Sequence, residues 1–587
     1  MKKQSFLAGA IILTISGIIC KILGAIYKIP LANILGSQGM GFYYIIFPVY
    51  AFLLSFVSSC FTISISKKVS SAMAEGDFPM AHGYLKASLL LLTFLGVGLC
   101  MVLIVLSRLI AYLQGIGNIY ICYLIIAPSI IAVAIQSAFK GFFQGLQNMT
   151  PSAISQVVEE ILKLTVGFSL ASLLVEKSQL FGACGALVGI LVAEVGTCVY
   201  FTVSYFAFKI NNKSLFVHSR KHNLQGKSGI LEKKENRDNC KGDNCSSKSK
   251  IDKIGAKKKI ISFFCSQNGS KKCQCKENPC KKPLCKLMGE VFANAIPFML
   301  SSLVIPLSLV VDSFLIVNIL KNMGFDKFFA TALLGLNAGV VSTLIGLPAT
   351  LSSSLCTTIV PYITYSIARG DISTTSQKIY LALKLSIIVS LPCFFVFIFF
   401  SPKVINVLYS FDSVYEFNMA GTLLMISSIN ALYLSILQLT IAILQAFGKT
   451  YIPVVNLSIG LLFKVFFEFV LINIPDINIS GAIISNIACY FVPSALNIVQ
   501  IKKLVSLRPN LWQTFISPAI SSIIMVAIIA LCLTITTNFL SLKLATLLSF
   551  FVGGLAYLIC ILLFKTFLKE EKKDFLLFRT KKKSLSQ

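Results

Sequence analysis

A chain of 587 residues that is 56% hydrophobic and only 13% charged is too apolar for a water-soluble protein of this size, so most of it belongs in lipid. The formal net charge of +29 would point to nucleic acid in a soluble protein, but here it is concentrated: residues 211–288 carry 20 Lys or Arg against 6 Asp or Glu, and residues 565–587 carry 8 against 3. Basic segments flanking apolar spans read as topology signals and as contacts to anionic lipid headgroups, which argues against a nucleic-acid partner.

The apolar runs are about 20 residues long, twice the length of a barrel strand, and an exposed backbone is not tolerated in hydrocarbon, so the spans are expected to be helices. The expected fold is an all-α integral membrane bundle with about fourteen spans, at roughly 6–26, 41–66, 87–107, 118–138, 152–175, 181–208, 290–316, 329–357, 378–401, 417–444, 452–473, 479–501, 514–537 and 541–566. The first run follows Lys2 and Lys3 as a secretory leader would, yet Lys21 and Lys28 interrupt its end and no small-residue cleavage site follows, so it reads as a retained helix. An even number of spans puts both termini on one side. Lys2, Lys3 and the tail from Lys565 to Lys583 mark that side as cytoplasmic, and Lys67, Lys68, Lys140, Arg369, Lys449, Lys502, Lys503 and Arg508 agree; Lys321 and Lys327 fall on the opposite side. The chain is therefore expected to be a multi-pass membrane protein with both termini cytoplasmic.

The organisation expected is a six-helix lobe over 1–210, a basic cytoplasmic insert over 211–288, a second six-helix lobe over 289–505, an extra helix pair over 506–566 and a basic tail over 567–587. The insert is rich in Lys, Ser, Asn and Gly with little apolar periodicity, so it is read as a mostly disordered linker. It holds Cys240, Cys245, Cys265, Cys273, Cys275, Cys280 and Cys285 near His218 and His222; lacking a paired C-x2-C spacing, these read as reduced thiols rather than a metal site. The other eleven cysteines, in or beside spans, read as small apolar packing residues.

The two lobes repeat in residues as well as spacing. Ser58 to Ser64, running on to Ala74-Glu75-Gly76-Asp77, matches Ser352 to Thr358 running on to Ala368-Arg369-Gly370-Asp371, and the turn from Gln144 to Pro151 resembles Gln445 to Pro453. Two like bundles in one orientation imply a pseudo-two-fold axis along the membrane normal with a solute path between them, which is a transporter layout.

Ionisable residues inside spans cost about 2.5–3.5 kcal/mol each by insertion scales, so they face a cavity or a partner and form the candidate site. Lys21 and Lys28 are seven residues apart, close to two helical turns, and should share a face. Asp312, in an apolar run six residues after Pro306, needs a cation; it would pair with Lys21 or Lys28, or serve as a coupling site for protons or sodium. Glu159 with Lys163, and Lys464 with Glu468, have the spacing to neutralise themselves within one helix, with Glu160 beside the first pair. Glu194 and Lys384 are left unassigned. Prolines at 30, 48, 128, 297, 306, 348, 361 and 392 fall in or beside spans, where they kink helices or simply pack. No phosphate-cradling G-x-x-x-x-G-K-[ST], no G-x-S-x-G and only three histidines are present, so an enzyme is not expected, and neither a cofactor nor a metal is implied.

Lys21-Ile22-Leu23-Gly24 with Tyr27-Lys28-Ile29-Pro30-Leu31, then Leu35-Gly36, Gly39 to Tyr50, Gly141 to Ser155 and Ser301 to Asp312, resemble the multidrug/oligosaccharidyl-lipid/polysaccharide exporter superfamily. The likeness is to its polysaccharide biosynthesis branch, the group of the stage V sporulation B proteins related to lipid II flippases, and it covers nearly the whole chain except the insert. Two departures stand out: the group usually has a shorter central loop with fewer cysteines, and Lys28 stands where the pattern implies arginine, replacing a bidentate fork by a point charge. The resemblance implies flipping of a polyprenyl-diphosphate-linked sugar, with Lys21 and Lys28 binding the diphosphate in a cationic hollow and the extra helix pair walling a groove for the lipid tail. Peptidoglycan synthesis, the spore cortex included, would be the setting and wall-synthesis enzymes would be partners. The alternatives are an ion-coupled multidrug exporter of the same superfamily and a non-transporting membrane scaffold for wall synthesis.

Overall fold

The computed structural model describes residues 6–211, 283–353, 363, 372–411, 413–505, 510–564 and 566. Among them, twelve helices are long and apolar enough to cross a membrane. Two of the fourteen expected spans fall outside that count for local reasons. The first two form one helical stretch, Ile15–Ala74, and the fifth is interrupted and carries three charges.

The first helix, α1 (Phe6–Ser55), runs past the expected end of the first span and takes Lys28 and Pro30 with it. It bends at Gly36, whose φ of 67° lies in the left-handed region that glycine enters without steric cost. The stretch breaks again after Ser55 and resumes as α2 (Ser59–Ala74), so the expected second span is two helices. Next come α3 (Phe78–Leu113), entered through an Asp77 cap that accepts from the Met80 amide, the short α4 (Tyr120–Ile126), and α5 (Ser129–Gly145). The fifth span is α6 (Thr150–Leu162), a π-helical turn at Lys163–Gly167, and α7 (Phe168–Val175); α8 (Gln179–Asn211) completes the first lobe.

The second lobe starts with α9 (Leu284–Asn322), whose first turns lie inside the expected insert boundary. The helix α10 (Lys327–Leu334) runs into a second π-helical stretch, Gly335–Val341, and helical backbone continues to Ser353. Then follow α11 (Ile372–Leu408), α12 (Val414–Ala446), α13 (Tyr451–Ile472) and α14 (Ser480–Leu504). The extra pair, α15 (Ser517–Thr536) and α16 (Leu542–Leu563), packs against α11; Tyr557 donates to the Ile388 carbonyl at 2.7 Å. The expected insert between Lys213 and Lys282, with six of its seven cysteines and both histidines, lies outside the described residues, as do Arg369, Pro361, Arg508 and the tail from 567.

Cysteine packing departs from expectation at one place: Cys122 of α4 and Cys184 of α8 form a disulfide with Cα atoms 5.4 Å apart, rather than acting only as filler. Nothing in a single sequence reports that these two thiols, 62 positions apart, meet.

What positions the site is α1. It packs against α6, α7 and α8 of its own lobe and also against α9, α10 and the π-helical stretch after α10 in the other. Contact there is close enough to require glycine. A methyl group on Gly335 would stand 1.9 Å from the Ser37 carbonyl oxygen, and one on Gly41 would stand 2.1 Å from that of Thr331. Beside this crossing, Asn33 donates to the Leu408 carbonyl and accepts from the Ser410 amide, both at 3.0 Å, and Ser37 donates to Glu416 at 2.6 Å. At the other end of the bundle, Glu290 of α9 accepts from Lys68 at 3.2 Å and from Tyr84 at 2.7 Å, while Ser64 donates to the Val291 carbonyl at 2.7 Å. The lobes are tied at both ends, leaving polar space between.

Candidate functional site: two polar hollows beside the first helix

Helix α1 is a wall with a hollow on either side. The larger, about 540 Å³, lies mainly in the first lobe, with Ser353 of the second at its edge, and is lined by Lys21, Lys140, Gln136, Gln156, Glu159 and Glu194 among others. The smaller, about 300 Å³, lies between α1 and the second lobe, lined by Lys28, Tyr44, Asp312, Asn337, Gln438 and Asn486 with apolar neighbours.

This geometry corrects four sequence expectations. Lys21 and Lys28 do share a helix, but they line different hollows, because α1 touches both lobes and a seven-residue step is also about 10 Å along its axis. The larger hollow is not cationic: its Lys21 and Lys140 are balanced by Glu159 and Glu194, contributed by α6 and α8. Asp312 pairs with neither Lys21 nor Lys28 but with Lys464, at 2.5 Å. Lys464 comes from α13, which packs on α9, and it also donates to the Ser308 hydroxyl at 2.9 Å and carbonyl at 3.2 Å. The expected self-neutralisation of Lys464 by Glu468 is thus replaced by a bridge between helices, with Glu468, fully buried, interacting electrostatically with both partners.

The other within-helix pair forms as its spacing suggests. Lys163 contacts Glu159 and lies 3.6 Å from Glu160. Lys163 opens the π-helical turn, whose wider winding is frequent at functional positions. Glu194, only 6% exposed, accepts from Gln136 at 2.5 Å, and Gln136 in turn accepts from Thr197 at 2.9 Å. Lys384 lies away from both hollows: fully buried in α11, it donates to Gln513 at 3.4 Å and sits over the Tyr380 ring at 5.7 Å, where the extra pair joins the second lobe.

Sequence reasoning missed Lys140, read as a loop residue although it lies inside α5, and the amides Gln136, Gln156, Asn337, Gln438 and Asn486. A search for ionisable residues passes over amides. A search for Asn and Gln within the apolar runs would have found them.

Among the described residues there is no group of three or more His, Cys, Asp or Glu side chains suited to a metal.

Against known proteins, residues 6–226 match the family model of polysaccharide biosynthesis proteins. The stage V sporulation protein B of Bacillus subtilis (strain 168) is 24% identical over 527 residues, covering 89% of this chain and 88% of that protein. The lipid II flippase MurJ of the same organism is 23% identical over 517 residues, covering 85% and 83%. Among solved structures, a lipid II flippase MurJ in an inward closed conformation superposes with a TM-score of 0.59 at 16% identity, covering 94% of this chain and 99% of that one. An inward-facing multidrug resistance transporter of the MATE family superposes with a TM-score of 0.56 at 12% identity, covering 84% and 98%. The fold is that of these solved structures, and over most of its length the chain is similar to stage V sporulation protein B and the lipid II flippase MurJ, with the polysaccharide biosynthesis family model matching its first lobe.

Proposed function

We propose that this protein is a flippase that carries a polyprenyl-diphosphate-linked sugar precursor of the lipid II type from the inner to the outer leaflet of a bacterial plasma membrane, for peptidoglycan synthesis including that of the spore cortex. The observation that carries the reading is the placement of Lys21 and Lys28 on one helix, each at the edge of a polar hollow. An anionic headgroup needs wet, cationic contacts to leave the interface, while its tail stays in lipid along the extra pair α15–α16. Since about 10 Å separates the lysines along the axis, a diphosphate meets them in turn rather than together. Alternating access then consists of breaking the ties at one end of the lobes while keeping those at the other.

In this reading Asp312 shapes the second-lobe hollow as the counter-ion of Lys464, and Glu159, Glu160, Lys163, Glu194 and Lys384 are structural charges. Both termini are cytoplasmic, anionic lipids meet the basic segments, and wall-synthesis enzymes consume the product. The test is a flipping assay in vesicles with defined polyprenyl-diphosphate sugars, beside rescue of flippase-depleted cells. Wild-type protein moves the lipid, and Lys21→Ala abolishes rescue at normal abundance; full rescue by Lys21→Ala would overturn the site.

One observation favours a second reading, ion-coupled export of amphipathic cations: Glu159 and Glu194 both face the larger hollow. Vesicle uptake of tetraphenylphosphonium, with no movement of the glycolipid, would select it.

A further inference from the structure

The smaller hollow has a wall chemistry that the diphosphate contact does not use. Gln438 Oε1 and Asn486 Oδ1 are buried at its wall and accept no hydrogen bond from any described residue. A buried carbonyl oxygen without a donor costs about 1–3 kcal/mol, so two on one cavity wall mark a place where a ligand's donors belong. Asn337, on the π-helical stretch after α10, adds a third amide. Opposite them stand the rings of Tyr44 and Phe47 from α1, in edge-to-face contact at 6.5 Å, and Lys28 lies over the Tyr44 ring at 5.9 Å.

Two kinds of ligand donate hydrogen bonds, ammonium groups and hydroxyl or amide groups, and the charges decide between them. The carboxylate at the wall, Asp312, already holds Lys464, and the other charged residue of the lining is the cation Lys28. No unmatched negative charge is left for a cationic ligand. Amide acceptors facing aromatic rings suit a neutral polyol, whose hydroxyls donate to the amides while its C–H face covers a ring. The volume, about 300 Å³, is small for a ligand pocket and suits a single sugar ring better than a whole headgroup.

We infer that the hollow between α1 and the second lobe is a carbohydrate subsite, in which Gln438 and Asn486 bind hydroxyl or amide donors of the first sugar of the lipid-linked substrate while Lys28 meets the adjoining phosphate. This rests on the flippase reading and adds to it the place where sugar is distinguished from bare lipid diphosphate. The subsite selects for the glycosylated lipid, because the bare lipid leaves both amide oxygens unpaired.

The experiment measures binding to the full-length protein in lipid nanodiscs of three probes: polyprenyl diphosphate bearing one N-acetylated amino sugar, unglycosylated polyprenyl diphosphate, and tetraphenylphosphonium. The near-isosteric double variant Gln438→Leu/Asn486→Leu is compared with wild type and with Lys28→Ala. The double variant is expected to lose about tenfold in affinity for the glycosylated lipid, two hydrogen bonds' worth, with the unglycosylated lipid bound within twofold of wild type. Lys28→Ala is expected to weaken both lipids. Equal loss on both lipids in the double variant, as misfolding would give, or no loss on either, overturns the subsite and leaves the flippase reading standing. Wild-type protein that binds neither lipid overturns both, as does tetraphenylphosphonium displacing the glycosylated lipid with a dependence on Gln438 and Asn486.

Discussion

Lys464 Nζ lies 2.5 Å from Asp312 Oδ1, joining α13 to α9 across 152 positions of chain in a setting where the lysine is 1% and the aspartate 14% exposed. Burying either charge alone is far more costly than burying the pair, so each residue is held in place by the other.

Lys464→Met is therefore expected to leave Asp312 and Glu468 buried without their cation and to destabilise the protein by about 3–5 kcal/mol. Thermal unfolding in detergent reads the loss. Adding Asp312→Asn should recover part of it, because an uncharged amide needs no counter-ion. A single variant as stable as wild type would show that the bridge is not formed in the membrane.

The charge of Lys28, which sits at the edge of the smaller hollow, should matter more than its shape. Lys28→Arg is expected to support rescue at least as well as wild type, since a guanidinium offers phosphate a bidentate fork, whereas Lys28→Gln should fail. Growth of flippase-depleted cells carrying each variant at matched abundance is the readout, and equal growth would remove Lys28 from the substrate's path.

Gly335 faces the Ser37 carbonyl too closely for any side chain. Gly335→Ala should push α1 from the second lobe at a cost of about 1–3 kcal/mol. Hydrogen exchange reports it as faster exchange at Asn33–Ser37 and Leu408–Glu416, where Asn33 and Ser37 bridge the lobes. Unchanged exchange with full stability would mean that the crossing is looser than described.

At the opposite end, Glu290 collects Lys68 and Tyr84. Glu290→Gln removes the charge while keeping an acceptor, so it should loosen this end alone: faster exchange over 64–72 and 287–295, no change near Asn33. If both ends loosened together, the ties would belong to general stability rather than to one gate.

The hydrophobic runs made the span positions legible, with two lessons from particular residues. Gly36 and the break after Ser55 show that a stretch of lipid-compatible sequence does not announce where a helix bends rather than ends. The fifth span was legible by length, but Lys163 fell at a π-helical turn that no periodicity predicts. Within the site, Glu159 and Lys163 paired as their spacing suggests because one turn of one helix brings them together. Lys464 and Glu468 did not, since the partner of Lys464, Asp312, was chosen by which helix packs alongside.

The sequence by itself determined that this is a helical membrane protein with charges inside its spans that must be hidden, because chain length, hydropathy and one-turn spacing are local properties. Only the tertiary structure decided that Lys464 and not Lys28 answers Asp312, that Lys21 and Lys28 face different hollows, and that neutral amides line one of them. Those outcomes depend on how helices distant in sequence are placed side by side, and no single helix carries that information.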